Sequence, residues 1–258
     1  MHLILTGATG LVGSSVLDAM LKNTTISKIS ILSRRPVPMA DDAKDPRVRV
    51  IMHKDFESYK PELLDQLKDA DGCVWALGTS QMNVTQEQYV KITKDYALAA
   101  AEAFSTLKAS KSDSPFRFVH VSGEGATQTP GRFSAIFART KGETEQLLGE
   151  LSEKHKGLIQ VDSVRPAFVD AAAHNAIKPY IPSATGISAT AAKVGIALMA
   201  PGIRCLWKSM HSPTDKLGPF LTDVAMGKMD TKIQGPGAFR LGGGWVIENA
   251  GMRRMLGL

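Results

Sequence analysis

The chain reads as an α/β protein, a doubly wound parallel sheet followed by a small C-terminal helical cap. Three observations predict this. Short apolar runs alternate with helical patterns from residue 2 to about residue 170, the rhythm of βαβ units. The first run passes straight into a turn carrying Gly7, Gly10 and Gly13 that opens a helix. The 258 residues, 43% apolar and 22% charged, suit one large α/β unit with a substantial core.

The elements follow in order. Leu3-Ile4-Leu5 is a buried strand, and Val12, Val16, Met20 with Leu17 and Leu21 give the next helix its apolar side. Lys28 to Ser33 is a second strand, and Arg47 to Met52 alternates with period two as a third. Pro61 to Lys68 is a short helix, and Gly72 to Leu77 a fourth strand. An alanine-rich helix runs from about Gln86 to Leu107. Phe116 to Ser122 is the fifth strand, about Ser134 to Lys154 a helix, and Leu158 to Val164 the sixth strand. Lys111 to Pro115 carries loop chemistry. Beyond Asp170 the alternation stops. An irregular stretch with His174 and Tyr180 leads to an expected helix at about Ser188 to Met199, with further helical pieces at 214–227 and 245–256. Residues 1–170 are therefore read as a nucleotide-binding domain, and 171–258 as a substrate cap packed on it in one globule.

Composition excludes several classes. Cys73 and Cys205 form no disulfide framework and read as buried hydrophobes in a reducing compartment. The net charge of +6 gathers near the C-terminus without the aromatic-interleaved basic clusters of a nucleic-acid binder. That basic end leaves peripheral membrane attachment as a third and weaker reading. The apolar run from Val194 to Ile203 is too short to span a bilayer. Met1 stands directly against the first strand, so no leader is expected, and the localisation read from this is cytoplasmic. The six histidines show no metal-ligand spacing, so no metal is expected.

A strand, a glycine turn and a helix N-terminus make a pyrophosphate site, because free N–H groups and the helix dipole favour an anion. The turn residues Gly7, Thr9, Gly10, Leu11, Val12 and Gly13 are the candidates for it. A carboxylate at the end of the second strand would select NAD(H). Here the strand ends Ser33-Arg34-Arg35, two forked guanidiniums and a small hydroxyl suited to a 2′-phosphate, so NADP(H) is the expected cofactor. Asp55 and Phe56 after the third strand are assigned to the adenine, and Ala76, Leu77 and Gly78 after the fourth to the adenosine ribose.

These residues resemble an atypical short-chain dehydrogenase/reductase, a family with an NAD(P)-binding Rossmann fold. The pieces that carry the resemblance are Thr6–Gly13, Leu77-Gly78-Thr79, Val90–Lys91 through Asp95-Tyr96-Ala97-Leu98, Val119–Ala126, Lys141 to Glu145 and Val164-Arg165-Pro166. Their combination is most similar to the branch of the human Tat-interacting tumour-suppressor protein and its fungal relatives, over about residues 2–170. The resemblance implies that Lys141 holds the nicotinamide ribose and that Pro166 and Val169 line the nicotinamide. It also implies pairing of two copies through the helices at 86–107 and 134–154.

The family's chemistry rests on Tyr-x-x-x-Lys, whose phenol exchanges the proton that accompanies hydride transfer. Lys141 matches, but the position four before it is Phe137. The proton must then come from Ser122, Glu124, Thr127, His174, Tyr180 or water, with Ser122 and Glu124 first because a strand's C-terminal end faces the crevice. Glu143 and Glu145 read as solvent-facing. The sequence thus predicts an NADP(H)-dependent oxidoreductase, or a nicotinamide-using isomerase or epimerase, on a small organic substrate. The alternative is a non-catalytic NADP(H)-binding regulator that contacts a partner protein.

Overall fold

The structure, a computed structural model, describes residues 1–108, 114–181, 202 and 207–258. Its main sheet has eight strands. In chain order they are β1 (His2–Thr6), β2 (Lys28–Ser33), β3 (Val48–Met52), β4 (Gly72–Trp75), β5 (Phe116–Val121), β6 (Ile159–Arg165), β9 (Ala238–Leu241) and β10 (Gly244–Glu248). Their spatial order is β3-β2-β1-β4-β5-β6-β10-β9. All neighbours pair in parallel except β9 with β10. A separate pair joins β7 (Phe168–Asp170) to β8 (His211–Pro213).

The central strands β1 and β4 are buried along their whole length because both faces of the sheet are covered. Side chains alternate across β1: Leu3 and Leu5 enter one core and Ile4 the other. The first core lies under α1 (Leu11–Lys22) and α7 (Thr214–Ala225), with Val16, Leu17, Met20, Leu217 and Phe220. The second lies under α3 (Pro61–Leu67), α5 (Tyr96–Phe104) and α6 (Ile136–Lys154), and is rich in rings: Phe56, Trp75, Phe104, Phe116 and Phe118. Helix α7 approaches α1 so closely that a Cβ on Gly218 would stand 2.2 Å from the Ser15 carbonyl oxygen.

Strands β1 to β6 fall within two residues of the sequence expectation. Four readings are corrected. The helix expected over 86–107 is α4 (Gln86–Val90), a π-helical turn (Lys91–Asp95) and α5, ending at Phe104. A short helix, α2 (Pro38–Ala43), follows β2 where none was expected. Residues 245–256 are not one helix: Gly244–Glu248 forms β10, and only α9 (Asn249–Leu256) is helical. Residues 171–258 are consequently not a cap alone, since β9 and β10 extend the sheet and α7 shares its first core. The expected helix at Ser188 to Met199, Cys205, and most of the loop at 111–115 lie outside the described residues. Helix α8 (Asp230–Ile233) completes the set. No helix among the described residues is long and apolar enough to cross a membrane.

The sheet reverses its winding between β1 and β4, and the chain ends there diverge into a crevice. Two glycines shape its floor. Gly7 has φ +71, and a Cβ on it would stand 2.2 Å from the Ala76 carbonyl oxygen. A Cβ on Gly13 would stand 2.0 Å from the Gly7 carbonyl oxygen. Both contacts are with backbone, so no side chain can rotate away. Gly13→Ala is expected to destabilise the fold by about 1–3 kcal/mol, read as a lower urea midpoint at unchanged m-value.

Candidate functional site

The crevice holds two adjoining cavities of about 720 and 560 Å³ that share Gly10 and the Ala76–Ser80 turn. Gly10 is the N-cap residue of α1 and supplies no side-chain cap, so the first N–H groups of that helix are left for a ligand. Gly7, Thr9 and Gly10 wall the larger cavity, and Gly10, Leu11 and Val12 the smaller.

The larger cavity is closed on its outer side by Ser33, Arg34 and Arg35, with Phe56, Ala76, Leu77 and Gly78 around it. The Arg35 guanidinium folds over the glycine turn, donating from Nε and Nη2 to Thr9 Oγ1 at 3.0 and 2.9 Å. Ser33 shapes this arginine turn. Its hydroxyl donates to the Arg35 carbonyl at 2.6 Å and accepts the Arg35 N–H at 3.3 Å. The hydroxyl proton is therefore occupied, which corrects its reading as an added phosphate donor. No carboxylate lines this cavity among the described residues.

The smaller cavity gathers Ser122, Gly123, Glu124, Lys141, Pro166 and Val169. Lys141 is carried by α6 and reaches the end of β5, where its Nζ donates to the Ser122 carbonyl at 2.6 Å. Burial lowers its pKa to about 8, against the pull of the Glu145 charge one turn on. The Ser122 hydroxyl is buried without a partner among the described residues. His120, below it in β5, is fully enclosed. Burial first, and the Lys141 charge second, hold its pKa at about 3.

A buried clamp backs this wall. Glu145 is 1% exposed, which corrects its reading as a solvent-facing carboxylate. Arg165 at the end of β6 grips it with two hydrogen bonds, of 2.9 Å from Nε and 2.6 Å from Nη2. Gln128 donates to the same carboxylate. Removing one partner of such a pair strands a buried charge and typically costs about 3–5 kcal/mol. Glu143 is exposed and pairs with Lys94.

The structure thins the sequence candidates. Gly13 packs the turn instead of facing the crevice. Asp55 lines a different depression, beside Ile51 and His53, and its carboxylate caps its own turn through Glu57 N–H and the Ser58 hydroxyl. Those two hydrogen bonds hold its pKa below the usual carboxylate value. Glu124 lines the smaller cavity, but its carboxylate accepts the Asn249 N–H at the start of α9. Three of the named proton sources are not among the residues that line the smaller cavity. His174 is bonded to Asp18 and Thr214 on the α1–α7 face, and Tyr180 donates to Asp42. Thr127 accepts the Thr129 N–H in the loop before α6. Phe137 sits against the loop at Gly125.

Sequence reasoning missed Ser80, Asn83 and Met210 as lining residues. Ser80 and Asn83 lie in a polar turn just after a strand, a signal that was legible. Met210 comes from a segment with no motif.

No protein-family model matches the chain. It is 40% identical over 197 residues to leucinostatins biosynthesis cluster protein T of Purpureocillium lilacinum, covering 70% of each chain. It is 41% identical over 162 residues to botcinic acid biosynthesis cluster B protein 16 of Botryotinia fuckeliana, covering 63% of this chain and 99% of that one. The chain belongs to the atypical short-chain dehydrogenase/reductase family. The fold agrees. The reductase domain of PhqB from Penicillium fellutanum superimposes with a TM-score of 0.62 at 17% identity, over 87% of this chain and 64% of that one.

His120 makes stability sensitive to acid. Its folded pKa lies below the unfolded value of about 6.5, so its contribution is present above pH 6.5 and lost as pH falls toward 3. His2, lowered to about 4 mainly by burial, acts in the same direction. His120→Gln is expected to remove about one proton of uptake on unfolding between pH 6 and 4. Urea unfolding across that range reads it as a slope shallower by up to about 1.4 kcal/mol per pH unit.

Proposed function

We propose that this protein is an NADP(H)-dependent oxidoreductase acting on a small organic substrate. The carrying observation is the arginine pair: Arg34 and Arg35 wall the larger cavity at the end of β2 with no carboxylate beside them among the described lining residues. Guanidiniums there match a 2′-phosphate, whereas NAD(H) selection asks for an acid.

The donor set fits the dinucleotide along its length. The Gly7–Val12 turn would take the pyrophosphate on backbone N–H groups, and Arg34 and Arg35 the 2′-phosphate. Phe56, Ala76, Leu77 and Gly78 would bound the adenosine. Lys141, Pro166 and Val169 would receive the nicotinamide end, with Ser122 facing the substrate. Bound there, the cofactor supplies or accepts a hydride. The chain's own residues fix its orientation and exclude water. The names of the two relatives, both biosynthesis cluster proteins, support a reading in small-molecule metabolism.

Phe137 favours a second reading, an NADP(H)-binding regulator without turnover, because it removes the family's proton donor. Both readings require the same cofactor, so cofactor selection is the first test. In fluorescence titrations NADPH is expected to bind at least about tenfold more tightly than NADH. Arg34→Ala/Arg35→Ala is expected to erase the difference. Equal and weak binding of both nucleotides to the wild-type protein would contradict the proposal.

A further inference from the structure

We propose that Lys141 is the acid of this site, its ammonium giving the proton to the carbonyl oxygen of an uncharged, apolar substrate held against Ser122. This rests on the oxidoreductase reading above and supplies the group that Phe137 cannot. The smaller cavity is walled by Leu11, Val12, Val121, Pro166, Val169 and Met210, which suits an apolar body. Its protic side chains among the described residues are Thr79, Ser80, Ser122, Glu124 and Lys141.

Thr79 and Ser80 stand on the turn shared with the larger cavity, toward the adenosine. Glu124 is committed to the Asn249 N–H. Ser122 presents a buried, unpartnered hydroxyl, suited to holding a carbonyl oxygen. A serine that gave up its proton would leave an alkoxide, with Lys141 as the neighbouring group able to refill it. Lys141 therefore stands at the head of either route.

Its surroundings leave it free to do so. One N–H of the ammonium is spent on the Ser122 carbonyl, leaving two. The approach is open because residue 123 is glycine, where a Cβ would stand 3.2 Å from Nζ. The charged groups around α6 are otherwise engaged. Glu145 on the same helix is gripped by Arg165 of β6, which also meets Glu248 of β10 at 3.6 Å. Glu143 on the outer side pairs with Lys94, and His120 of β5 is buried and neutral. Burial brings Lys141 to about 8, a value at which an ammonium holds its proton at neutral pH and still releases it.

The step balances. With NADPH held there, a hydride would pass to the carbonyl carbon and NADP⁺ would be left. The C=O π pair moves onto oxygen, which takes the proton from Lys141 Nζ to give the alcohol. The neutral amine is then recharged from solvent.

The test begins without turnover. Trace labelling of the full chain with acetic anhydride from pH 6 to 11, read by peptide mass spectrometry, should give Lys141 a midpoint near pH 8, well below the value of about 10.4 usual for a solvated surface lysine. Saturating NADPH should shield Lys141. A midpoint in the surface range would overturn the proposal. Single-turnover NADPH oxidation with a panel of uncharged ketones and aldehydes should fall about tenfold per pH unit above 8. Lys141→Arg, which keeps the cation but holds its proton, should slow the single-turnover rate at saturating NADPH about 100-fold or more and remove the fall above pH 8. A flat profile to pH 10 in the wild type overturns the proposal and needs no variant. NADPH binding with no carbonyl reduced overturns it while leaving the cofactor assignment standing. Failure to bind NADPH overturns the reading on which it rests.

Discussion

The crevice depends on how closely the backbone of the first turn meets the end of β4. With φ +71 at Gly7 and its missing Cβ aimed at the Ala76 carbonyl, the two chain ends pass in contact before they diverge. Gly13 brings the first turn of α1 onto the same spot. A helix N-terminus is thereby fixed at the reversal point of the sheet, with Gly10 as its bare cap. The arginines at the end of β2 gain their place from this arrangement, since Arg35 anchors on Thr9 of that turn. The glycine turn, the bare N-terminus of α1 and the Arg35 anchor all meet at one backbone contact.

On the proposed reading, binding and chemistry are built by different parts of the chain. The cofactor side comes from β1, β2 and β4. The reacting side comes from the end of β5, one face of α6 and the end of β6, braced by the buried Arg165–Glu145 pair. Phe137 alters the second part alone. It leaves the glycine turn, the arginines and Lys141 in place.

Much of this was legible because buried parallel strands appear in sequence as short apolar runs ended by glycine or proline, as at Gly72-Cys73-Val74-Trp75. Lys28–Ser33 is placed to the residue. The C-terminal strands were harder. The run Trp245-Val246-Ile247 is only three residues long and leads at once into helical periodicity, so the helix pattern absorbed it. Glu145 reads as solvent-facing from its helix alone, because its partner Arg165 comes from another element. The glycine turn and the arginines were legible for the opposite reason: their chemistry is local, spent within a few residues of chain. Asp55 shows the limit of that logic, a strand-end carboxylate that serves its own turn.

The central claim is that one crevice, floored by Gly7 and flanked by Arg34 and Arg35, is built for NADP(H). A crystal structure of the chain with NADP⁺ tests it most directly. The account predicts the 2′-phosphate between the two guanidiniums, the pyrophosphate on the N–H groups at Gly10–Val12, and the nicotinamide in the smaller cavity beside Lys141. A dinucleotide bound elsewhere, or one whose 2′-phosphate points to solvent with Arg34 and Arg35 unengaged, would contradict it.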